Sequence, residues 1–330
     1  MAGRDARECT AVTQGRVSLV ATVLDEGETI DELLHSMALQ TRPPDEVVIV
    51  DGGSRDGTWE RLLAWNGRLP LRPLRAEGAN IARGRNMAIG AARGELIAVT
   101  DAGVRLDPRW LEQLLARLRP RVDVVAGFFR PDTHTAFEVA MGATVLPDRS
   151  EIKPESFLPS SRSVLFRRSA WEAAGGYPDW LDYCEDLVFD LALRRAGCRF
   201  VFAPEAVARF RPRGSLRAFF RQYFLYARGD GKAGLWRTRH AVRYATYLGA
   251  PTLLLARPRA WSWLLLLAGA GLYVRRPYAR LARELGRLEP AAAAYTVALV
   301  PIIRAVGDVA KMLGYPAGVA WRLRSRSASP

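Results

Sequence analysis

Two short apolar runs, each followed directly by an aspartate, restrict the fold of this 330-residue chain more than any other feature. Glu46–Val50 leads into Asp51, and Glu95–Thr100 leads into Asp101. A third apolar run, Val17–Val23, precedes both. Runs of this length and composition are typical of strands that are buried on both faces of a parallel sheet. Ligands bind such sheets beyond the carboxyl ends of the strands, so we expect both aspartates to lie at a ligand site.

Helical patterns alternate with these strands. Apolar residues spaced three and four apart predict helices over 28–40 and 79–92, and Thr58 begins another. The remaining predicted helices are 110–118, 182–195 and 216–227, and the remaining predicted strands are 122–129, 163–166 and 200–202. Residues 131–163 are polar and contain four prolines, which favours loops over the site. The alternation predicts an α/β fold with a mostly parallel central sheet flanked by helices.

Charge is distributed unevenly along the chain. Residues 1–193 carry 23 basic and 29 acidic side chains, whereas residues 194–330 carry 25 basic and 5 acidic ones, so a net charge of −6 is followed by one of +20. The overall charge of +14 is therefore a sum over two unlike parts. Only three of the basic residues are lysines, namely Lys153, Lys232 and Lys311. The basic part favours a membrane surface or phosphate groups as partners.

Apolar runs begin near residue 244, within the basic part. Tyr244–Ala256 and Trp261–Val274 are each shorter than the roughly 20 residues that a spanning helix needs. Arg257 and Arg259 separate the two runs, and a third apolar run covers Pro290–Ile303. We therefore predict an interfacial or re-entrant helical hairpin that associates with a membrane. A spanning hairpin, and a hairpin buried against the preceding domain, remain as alternatives.

The polar N-terminus and the sparse cysteines bear on the compartment. Residues 1–16 contain no apolar segment typical of a secretory signal, and we expect them to form a disordered tail. The three cysteines do not form a disulfide framework, and no histidine has zinc-ligand spacing. These features predict a domain over 17–235 that lies in the cytoplasm, followed by a helical, membrane-associated region over 236–330.

The segment around Asp51 indicates a nucleotide site. A carboxylate at a strand end can accept a hydrogen bond from a nucleobase N–H, and the adjacent Gly52 and Gly53 allow close approach to the backbone. The dinucleotide fingerprint G-x-G-x-x-G is not met, because Ser54 occupies its second glycine position. A turn whose aspartate caps the next helix is the structural alternative, above all for Asp56.

Two further carboxylate sites complete the chemistry. Asp101, at a strand end, suits a hard divalent cation near a diphosphate, although a turn or capping role is an alternative. Glu185 and Asp186 begin a predicted helix, where negative charge is favoured by the helix dipole. A pair of adjacent carboxylates also allows one of them to act as a general base.

These motifs, taken in order, resemble the family 2 glycosyltransferases. The resemblance covers about residues 17–232, and its motifs are Val50-Asp51 with Ser54 to Thr58, Gly78 to Asn86, Thr100-Asp101, Gly175-Gly176-Tyr177 and Glu185-Asp186. It implies a GT-A fold, a nucleotide-diphosphate sugar donor, a divalent cation (Mg²⁺ or Mn²⁺) and inversion at the anomeric carbon.

The resemblance also implies roles for individual residues. Asp51 would hold the nucleotide base, Asp101 would stand where the metal-binding motif begins, and Asp186 would be the base that deprotonates the acceptor hydroxyl, with Glu185 beside it. Ser54, Asp56 and Arg85 are further candidates for the donor nucleotide site, and Arg221 and Arg228 are candidates for the diphosphate. The chain departs from the family pattern at Gly52 and Gly103, where many members carry a second acid.

The sequence therefore predicts a membrane-associated inverting glycosyltransferase at the cytoplasmic face of the cell membrane. Its partners would be a nucleotide-sugar and a saccharide or lipid-linked acceptor, in cell-envelope polysaccharide or glycolipid synthesis, and not nucleic acid. A sugar nucleotidyltransferase is one alternative, although the acidic segment after the first strand suits a triphosphate poorly. A basic nucleic-acid-binding protein is the other alternative.

Overall fold

One mixed sheet forms the centre of the molecule. The computed structural model describes residues 15–27, 29–256 and 260–327. Within them, an eight-stranded sheet has the strand order β3-β2-β1-β4-β7-β6-β8-β5. Its strands are β1 (Val17–Val23), β2 (Glu46–Asp51), β3 (Leu71–Arg75), β4 (Leu96–Val99), β5 (Val104–Leu106), β6 (Val124–Pro131), β7 (Val164–Arg167) and β8 (Phe200–Phe210). The predicted α/β class is confirmed.

Strand direction brings the predicted site residues to one edge. β3, β2, β1 and β4 are parallel neighbours, whereas β7 runs antiparallel to both β4 and β6. Val23 pairs with Asp51, and Val20 pairs with Val99 two residues before Asp101. Both aspartates therefore lie at the carboxyl ends of parallel strands, on either side of the end of β1, as predicted.

Helices cover both faces of the sheet. They are α1 (Thr29–Ala38), α2 (Thr58–Ala64), α3 (Ile81–Ala91), α4 (Trp110–Arg117), α5 (Ala136–Val145), α6 (Arg168–Ala174), α7 (Glu185–Arg195), α8 (Leu216–Ala233), α9 (Arg237–Tyr244), α10 (Ala250–Ala256), α11 (Ala260–Leu285) and α12 (Pro290–Ser327). A short 3₁₀ helix covers Arg149–Glu151, and a π-helical turn joins α9 to α10. Alternate residues of β1 explain the two layers: Leu19 packs with α1 and α4, and Val20 packs with α3 and α7.

The expectation of loops over 131–163 is wrong in part, because this segment contains α5. Thr135 and Glu138 form a capping box at its start, in which each side chain bonds the other residue's backbone N–H. Met141 of α5 packs with Phe219 of α8 and Ile303 of α12 in a second, smaller core. The four prolines around α5 gave the segment the composition of a loop.

The strands β3 and β5 were also not predicted, because both are short and carry exposed arginines.

The helix α12 lies directly against α8. Cβ atoms added at Gly314 and Gly318 of α12 would collide with the carbonyl oxygens of Phe224 and Arg228. A Cβ added at Gly231 of α8 would collide in turn with the Tyr315 carbonyl oxygen. Glycine therefore permits the two backbones to touch, and α12 is docked on the domain that precedes it.

Buried polar contacts tie the other C-terminal helices to α12. The Asp308 carboxylate accepts a 2.7 Å hydrogen bond from Arg243 Nε of α9 and a second bond from the Tyr273 hydroxyl of α11. Arg304 donates to the Tyr273 carbonyl oxygen.

Among the described residues, Pro290–Ser325 is the one helix long and apolar enough to cross a membrane by length and composition. Its contacts with α5, α8, α9 and α11 show that one side of it faces protein.

An apolar surface remains uncovered on α10 and α11. We call it the hairpin surface, and it consists of Leu255, Trp261, Trp263, Leu264, Leu265, Leu267 and Leu272. These side chains are 46–87% exposed.

Some predictions concern residues that the structure does not describe. Arg257 and Arg259, which separate the two predicted apolar runs, lie outside the described residues, as does most of the predicted tail over 1–16. The domain boundary near residue 235 stays a prediction.

Candidate active site

Asp51 ends β2 with one carboxylate oxygen bonded and the other free. Its side chain is fully buried. Oδ1 accepts hydrogen bonds from the Ser54 backbone N–H at 2.9 Å, the Ser54 hydroxyl at 2.6 Å and the Gly53 N–H at 3.1 Å. Oδ2 has no hydrogen-bond partner among the described residues, and Arg75 Nε lies 4.0 Å away. A buried carboxylate oxygen without a donor is the complement of a ligand N–H.

Close packing explains why glycine follows Asp51. A Cβ at Gly52 would lie 3.2 Å from the Ala79 carbonyl oxygen, and Gly53 has a left-handed φ of +104°. A side chain at position 52 would therefore press on the Ala79 carbonyl oxygen, which disfavours the second acid that many family members carry there. The Ser54 side chain stabilises this turn. Its hydroxyl donates a hydrogen bond to the Asp51 carboxylate and accepts one from the Asp25 N–H at 2.9 Å.

Asp56 serves the local turn in this structure. Its Oδ1 accepts hydrogen bonds from the Thr58 N–H at 3.1 Å and the Thr58 hydroxyl at 2.6 Å, just before α2. The Thr58 hydroxyl accepts in turn from the Glu26 and Gly27 N–H groups at 2.9 Å. The hydrogen bond from the Thr58 hydroxyl lowers the pKa of Asp56. These contacts match the turn alternative without a side-chain cap on α2, whose N-cap residue is Gly57, and the nucleotide role of Asp56 stays a prediction.

Arg85 links two of the predicted carboxylate motifs. Its side chain is only 1% exposed on α3, donates to Glu185 Oε1 at 2.5 Å, and forms an ion pair with Asp101 Oδ1. Burial alone would lower the pKa of Arg85, but the two carboxylates raise it. The guanidinium also lies 5.2 Å from the centre of the Tyr177 ring. Arg85 thus joins the end of β4 to the start of α7.

Glu185 and Asp186 face different surroundings. Burial raises the pKa of Glu185, as does the neighbouring Asp186, while the bonded Arg85 opposes the rise. Asp186 is half-buried and accepts a 2.8 Å bond from the Leu187 N–H at Oδ1. No cation within the described parts of the chain is bonded to Asp186. In the structure, therefore, Glu185 is paired with Arg85, whereas Asp186 remains available to a ligand.

The start of α7 is held in an unusual conformation. Cys184 precedes Glu185 and has a left-handed φ of +66°, which is uncommon for a residue with a side chain. Its thiol donates to the Tyr226 carbonyl oxygen of α8 at 3.1 Å. Burial raises the pKa of Cys184 well above its usual value, so this thiol is an anchor and not a nucleophile.

Sequence reasoning missed the role of Asn86. Its Oδ1 accepts from the Tyr177 N–H at 2.9 Å, and its Nδ2 donates to the Tyr177 carbonyl oxygen at 2.7 Å. Gly176 has a φ of +75°, and a Cβ there would lie 3.0 Å from Asn86 Oδ1. These hydrogen bonds therefore hold together two motifs of the family resemblance, namely Gly78 to Asn86 and Gly175 to Tyr177.

Arg85, Asp101, Glu185 and Asp186 lie around a cavity of about 510 Å³, whereas the predicted nucleotide residues Asp51, Ser54 and Asp56 are not among its lining residues. Its walls come from α3, the end of β4, the start of α7, α8 and α12. The lining residues are Ile81, Arg85, Asp101, Ser160, Arg162, Asp182, Tyr183, Cys184, Glu185, Asp186, Leu187, Arg213, Gln222, Tyr223, Tyr226, Ala227, Asp230 and Lys311. A larger groove of about 790 Å³ between β6, α5 and α11 contains none of the predicted site residues.

Three cations that the sequence did not single out line the cavity. Arg162 Nε lies 3.7 Å from Asp101 Oδ2, and Arg213 acts electrostatically on Glu26 next to Asp101. Lys311 enters from α12. Arg162 lies in the segment predicted as loop, and Lys311 follows Asp186 by more than a hundred residues. No local pattern could have shown that these residues share a cavity.

Arg221 and Arg228 are not among the residues that line the cavity. Both are on α8, whose cavity-facing side carries Gln222, Tyr223 and Tyr226 instead. The two arginines share a helix face, as their spacing predicted, but that face is turned elsewhere. Their role at the diphosphate stays a prediction that this geometry does not support.

Asp101 offers one carboxylate as a possible ligand for a divalent cation. Oδ1 is paired with Arg85, while Oδ2 has no hydrogen-bond donor among the described residues. A Cβ at Gly103 would lie 3.6 Å from Glu26 Oε2, so a second carboxylate lies close to the position where the family pattern has its second acid. No group of three or more His, Cys, Asp or Glu residues in the described ranges is arranged to hold a metal ion. The residues therefore fit a cation that takes most of its ligands from a diphosphate and water.

Comparison with known sequences identifies glycosyltransferases. The profile of "Glycosyl transferase family 2" matches residues 18–171. The chain is 30% identical to the succinoglycan biosynthesis protein ExoA of Rhizobium meliloti, over 65% of this chain and 68% of that protein. It is 24% identical to the O-antigen chain rhamnosyltransferase WbaN of Salmonella anatum, over 59% and 65% of the two chains. The matches thus span about two thirds of the length of these relatives.

Two further comparisons extend this result. An N-acetylglucosaminyl-diphospho-decaprenol L-rhamnosyltransferase of Mycobacterium tuberculosis is 25% identical over 66% of this chain and 86% of that protein. Among solved structures, the mannosyltransferase PcManGT of Pyrobaculum calidifontis, in complex with GDP-Man and Mn²⁺, has a TM-score of 0.57 at 20% identity and covers 96% of this chain and 89% of its own. S. aureus TarS with UDP-GlcNAc has a TM-score of 0.52 at 16% identity, covering 94% and 92%. The structural likeness establishes the GT-A fold.

Proposed function

The chain belongs to the family 2 glycosyltransferases, and we propose that it moves a sugar from a nucleotide-diphosphate sugar to an acceptor hydroxyl with inversion at the anomeric carbon. The observation that carries this proposal is the arrangement of Asp186, a half-buried carboxylate without a bonded cation, in the same cavity as Asp101 and Arg85. The nucleotidyltransferase and nucleic-acid-binding alternatives are not favoured by the relatives, which are named as sugar transferases or polysaccharide biosynthesis proteins.

Asp51 is the proposed contact for the nucleobase. Its buried Oδ2 needs a donor, and a ring N–H of uracil, thymine or guanine supplies one. Ser54 fixes the other carboxylate oxygen, so Asp51 is oriented before the donor arrives. This support favours donors whose base carries a ring N–H.

The diphosphate of the donor is proposed to lie near Asp101, with Arg162 and Arg213 beside it. Both cations lie close to Asp101 or Glu26, and a guanidinium binds phosphate oxygens in pairs. A divalent cation at Asp101 Oδ2, Mg²⁺ or Mn²⁺, would neutralise charge on the departing diphosphate. Arg85 keeps the Asp101 carboxylate in place through its own ion pair.

Asp186 is the proposed general base. The acceptor oxygen forms a bond to the anomeric carbon as the bond from that carbon to the diphosphate oxygen breaks. The acceptor proton passes to Asp186, and the nucleoside diphosphate leaves with the electron pair of the broken bond. Because the acceptor attacks the face opposite the diphosphate, the configuration inverts. Glu185 contributes by holding Arg85 and is therefore a positioning residue.

The acceptor is proposed to be a saccharide or a lipid-linked saccharide used in the cell envelope. The relatives named for succinoglycan, O-antigen and a diphospho-decaprenol acceptor support this class. We further propose that the hairpin surface lies on the cytoplasmic face of an anionic membrane. Its exposed leucines and tryptophans match an apolar interface, and the net charge of +20 over residues 194–330 matches anionic headgroups. In this arrangement residues 17–235 supply the donor site, and residues 236–330 supply the membrane contact.

The test is a screen of nucleotide-sugars followed by one substitution. Donors that raise the melting temperature, or that are hydrolysed with Mg²⁺ or Mn²⁺ present, identify the nucleotide. Asp186→Asn should then reduce turnover by at least a factor of about 10³, because it removes the proton acceptor. Donor affinity should stay within about twofold, since Asp51 holds the base.

The control is Glu172→Gln, which changes an exposed carboxylate of α6 outside the cavity lining and should leave most of the turnover. Full turnover in Asp186→Asn would disprove the role of Asp186. Absence of binding by every nucleotide-sugar would disprove the proposed reaction itself.

A further inference from the structure

Lys311 is a cation that the catalytic cavity contains and the donor site does not use. It lies on α12, its side chain is 28% exposed, and it lines the same cavity as Asp186. Its nearest carboxylate oxygen is Asp308 Oδ1 at 3.8 Å, too far for a hydrogen bond. That carboxylate is already bonded to Arg243 and Tyr273. Within the described ranges, no hydrogen bond holds the Lys311 ammonium.

The surroundings of Lys311 place it on the side of the cavity formed by α8 and α12. Its ammonium lies 4.8 Å from the centre of the Tyr223 ring of α8. The charged groups that act on it most strongly are Asp308 and Arg304 of α12, Arg243 of α9 and Asp230 of α8. Arg162, which lies 3.7 Å from Asp101 Oδ2, also acts on Tyr223, whereas Asp101 and Glu26 are not among the groups that act most strongly on Lys311. Lys311 therefore faces the cavity from α12, with no ion pair to a carboxylate of the proposed diphosphate site among the described residues.

A largely buried ammonium whose ion pair with Asp308 is too long for a hydrogen bond keeps its donor capacity for a ligand. Burial lowers the pKa of Lys311 to about 8. The choice of residue is informative as well, since lysine accounts for only three of the 48 basic residues. An ammonium is a compact point charge that can bind a single phosphate oxygen from many directions, whereas a guanidinium binds phosphate or carboxylate oxygens in pairs.

We propose that Lys311 binds a phosphate group of the acceptor, so that α12 forms the acceptor side of the active site. A saccharide linked to a lipid through a diphosphate carries such a phosphate next to its first sugar. The hairpin surface precedes α12 in the chain and would bring that phosphate to the cavity from the membrane. The inference rests on the proposed transfer reaction and adds the chemical class of its acceptor.

The test must distinguish whether Lys311 binds a phosphate of the donor or a phosphate of the acceptor. The protein is first saturated with the nucleoside diphosphate that raises its melting temperature most, among those of uridine, guanosine, thymidine and cytidine. Inorganic pyrophosphate is then titrated by calorimetry with excess Mg²⁺ at pH 7. We expect it to bind the saturated protein, and Lys311→Gln to weaken this binding at least tenfold while the nucleoside diphosphate affinity stays within twofold. Lys153→Gln, at an exposed lysine, is the matched control and should change neither.

A second measurement does not depend on how well Lys311→Gln folds. As the pH rises from 7 to 9, Lys311 loses its charge, and pyrophosphate binding to the wild-type protein should weaken. Lys311→Arg keeps its charge over this range, so its pyrophosphate affinity should not show that loss. The groups that also face this position are Tyr223 and Asp230 of α8, Arg243 of α9, and Arg304 and Asp308 of α12. Comparing the two pH profiles isolates Lys311 from them.

Three results would overturn the inference: no pyrophosphate binding to the saturated protein, equal binding by Lys311→Gln, or a loss of nucleoside diphosphate affinity in that variant. The last result would assign Lys311 to the donor. If the wild-type protein binds no nucleoside diphosphate at all, the proposed reaction has failed, and this is seen before Lys311 is tested.

Discussion

Arg85 shows at the scale of one residue how the motifs of this chain depend on one another. Its guanidinium is buried between Asp101 and Glu185, which come from different motifs. The sequence predicted that Asp51 and Asp101 lie at one edge, because strand ends in a parallel sheet meet there, and the family resemblance added Asp186. It did not predict which of these carboxylates would be paired, since that depends on how α3 is rotated against α7. The same limit applies to Lys311, whose place in the cavity depends on a contact between distant helices.

Arg85→Met removes the shared partner of two carboxylates. We expect turnover to fall at least about 100-fold, because Asp101 loses the pair that positions it. The free energy of unfolding should fall by about 3 kcal/mol, since breaking a buried pair leaves uncompensated charge. Arg83→Met, two residues earlier on the exposed side of α3, is the matched control. Rate assays and urea unfolding of both variants test this, and equal behaviour of the two would contradict the role given to Arg85.

At the scale of elements, the contact between α8 and α12 is the part of the fold that sequence patterns describe least well. The apolar run at Pro290–Ile303 was recognised, but its glycines, Gly314 and Gly318, lie beyond that run. Their function is visible only when the carbonyl groups of α8 stand against them. The strands, in contrast, were predictable almost residue by residue where they are buried on both faces, as β1 is. Strands with exposed arginines, such as β3, gave no such signal.

Gly318→Ala tests the closeness of the two helices. A methyl group at this position would meet the Arg228 carbonyl oxygen, so the helices must separate. We expect the free energy of unfolding to fall by about 2 kcal/mol, as in other overpacked interfaces. The matched control is Gly271→Ala on α11, where an added methyl group meets nothing within 4 Å. That change should be neutral or slightly stabilising. A Gly318→Ala protein that unfolds at the wild-type urea concentration would contradict this packing.

At the scale of the whole molecule, an acidic part over 1–193 and a basic part over 194–330 pack together where β8 pairs with β6 and where α11 and α12 contact α5. The carboxylates of the proposed chemistry lie in the part with a net charge of −6, and the hairpin surface lies in the part with +20. On the proposed anionic membrane, this arrangement would turn the basic part and the hairpin surface toward the lipid. The interfacial hairpin that the sequence predicted agrees with the exposure of α10 and α11.

The combined substitution Leu264→Ser and Leu267→Ser should weaken binding to anionic lipid vesicles at least tenfold. Both side chains are more than 60% exposed, and each buried leucine is worth up to about 2 kcal/mol. The control pair is Leu39→Ser and Leu63→Ser, exposed leucines of the domain over 17–235, which should leave vesicle binding unchanged. Vesicle sedimentation measures both. Unchanged binding in the first pair, or strong salt-dependent binding to DNA in its place, would contradict the membrane proposal.

The position of Lys311 in the chain also bears on timing during synthesis. The catalytic carboxylates, the hairpin surface and α12 leave the ribosome in that order. A nascent chain that has completed α8 therefore still lacks the part of the cavity lining that α12 supplies. If the hairpin surface binds a membrane as proposed, the cavity would be completed only after the membrane-binding segment has been made.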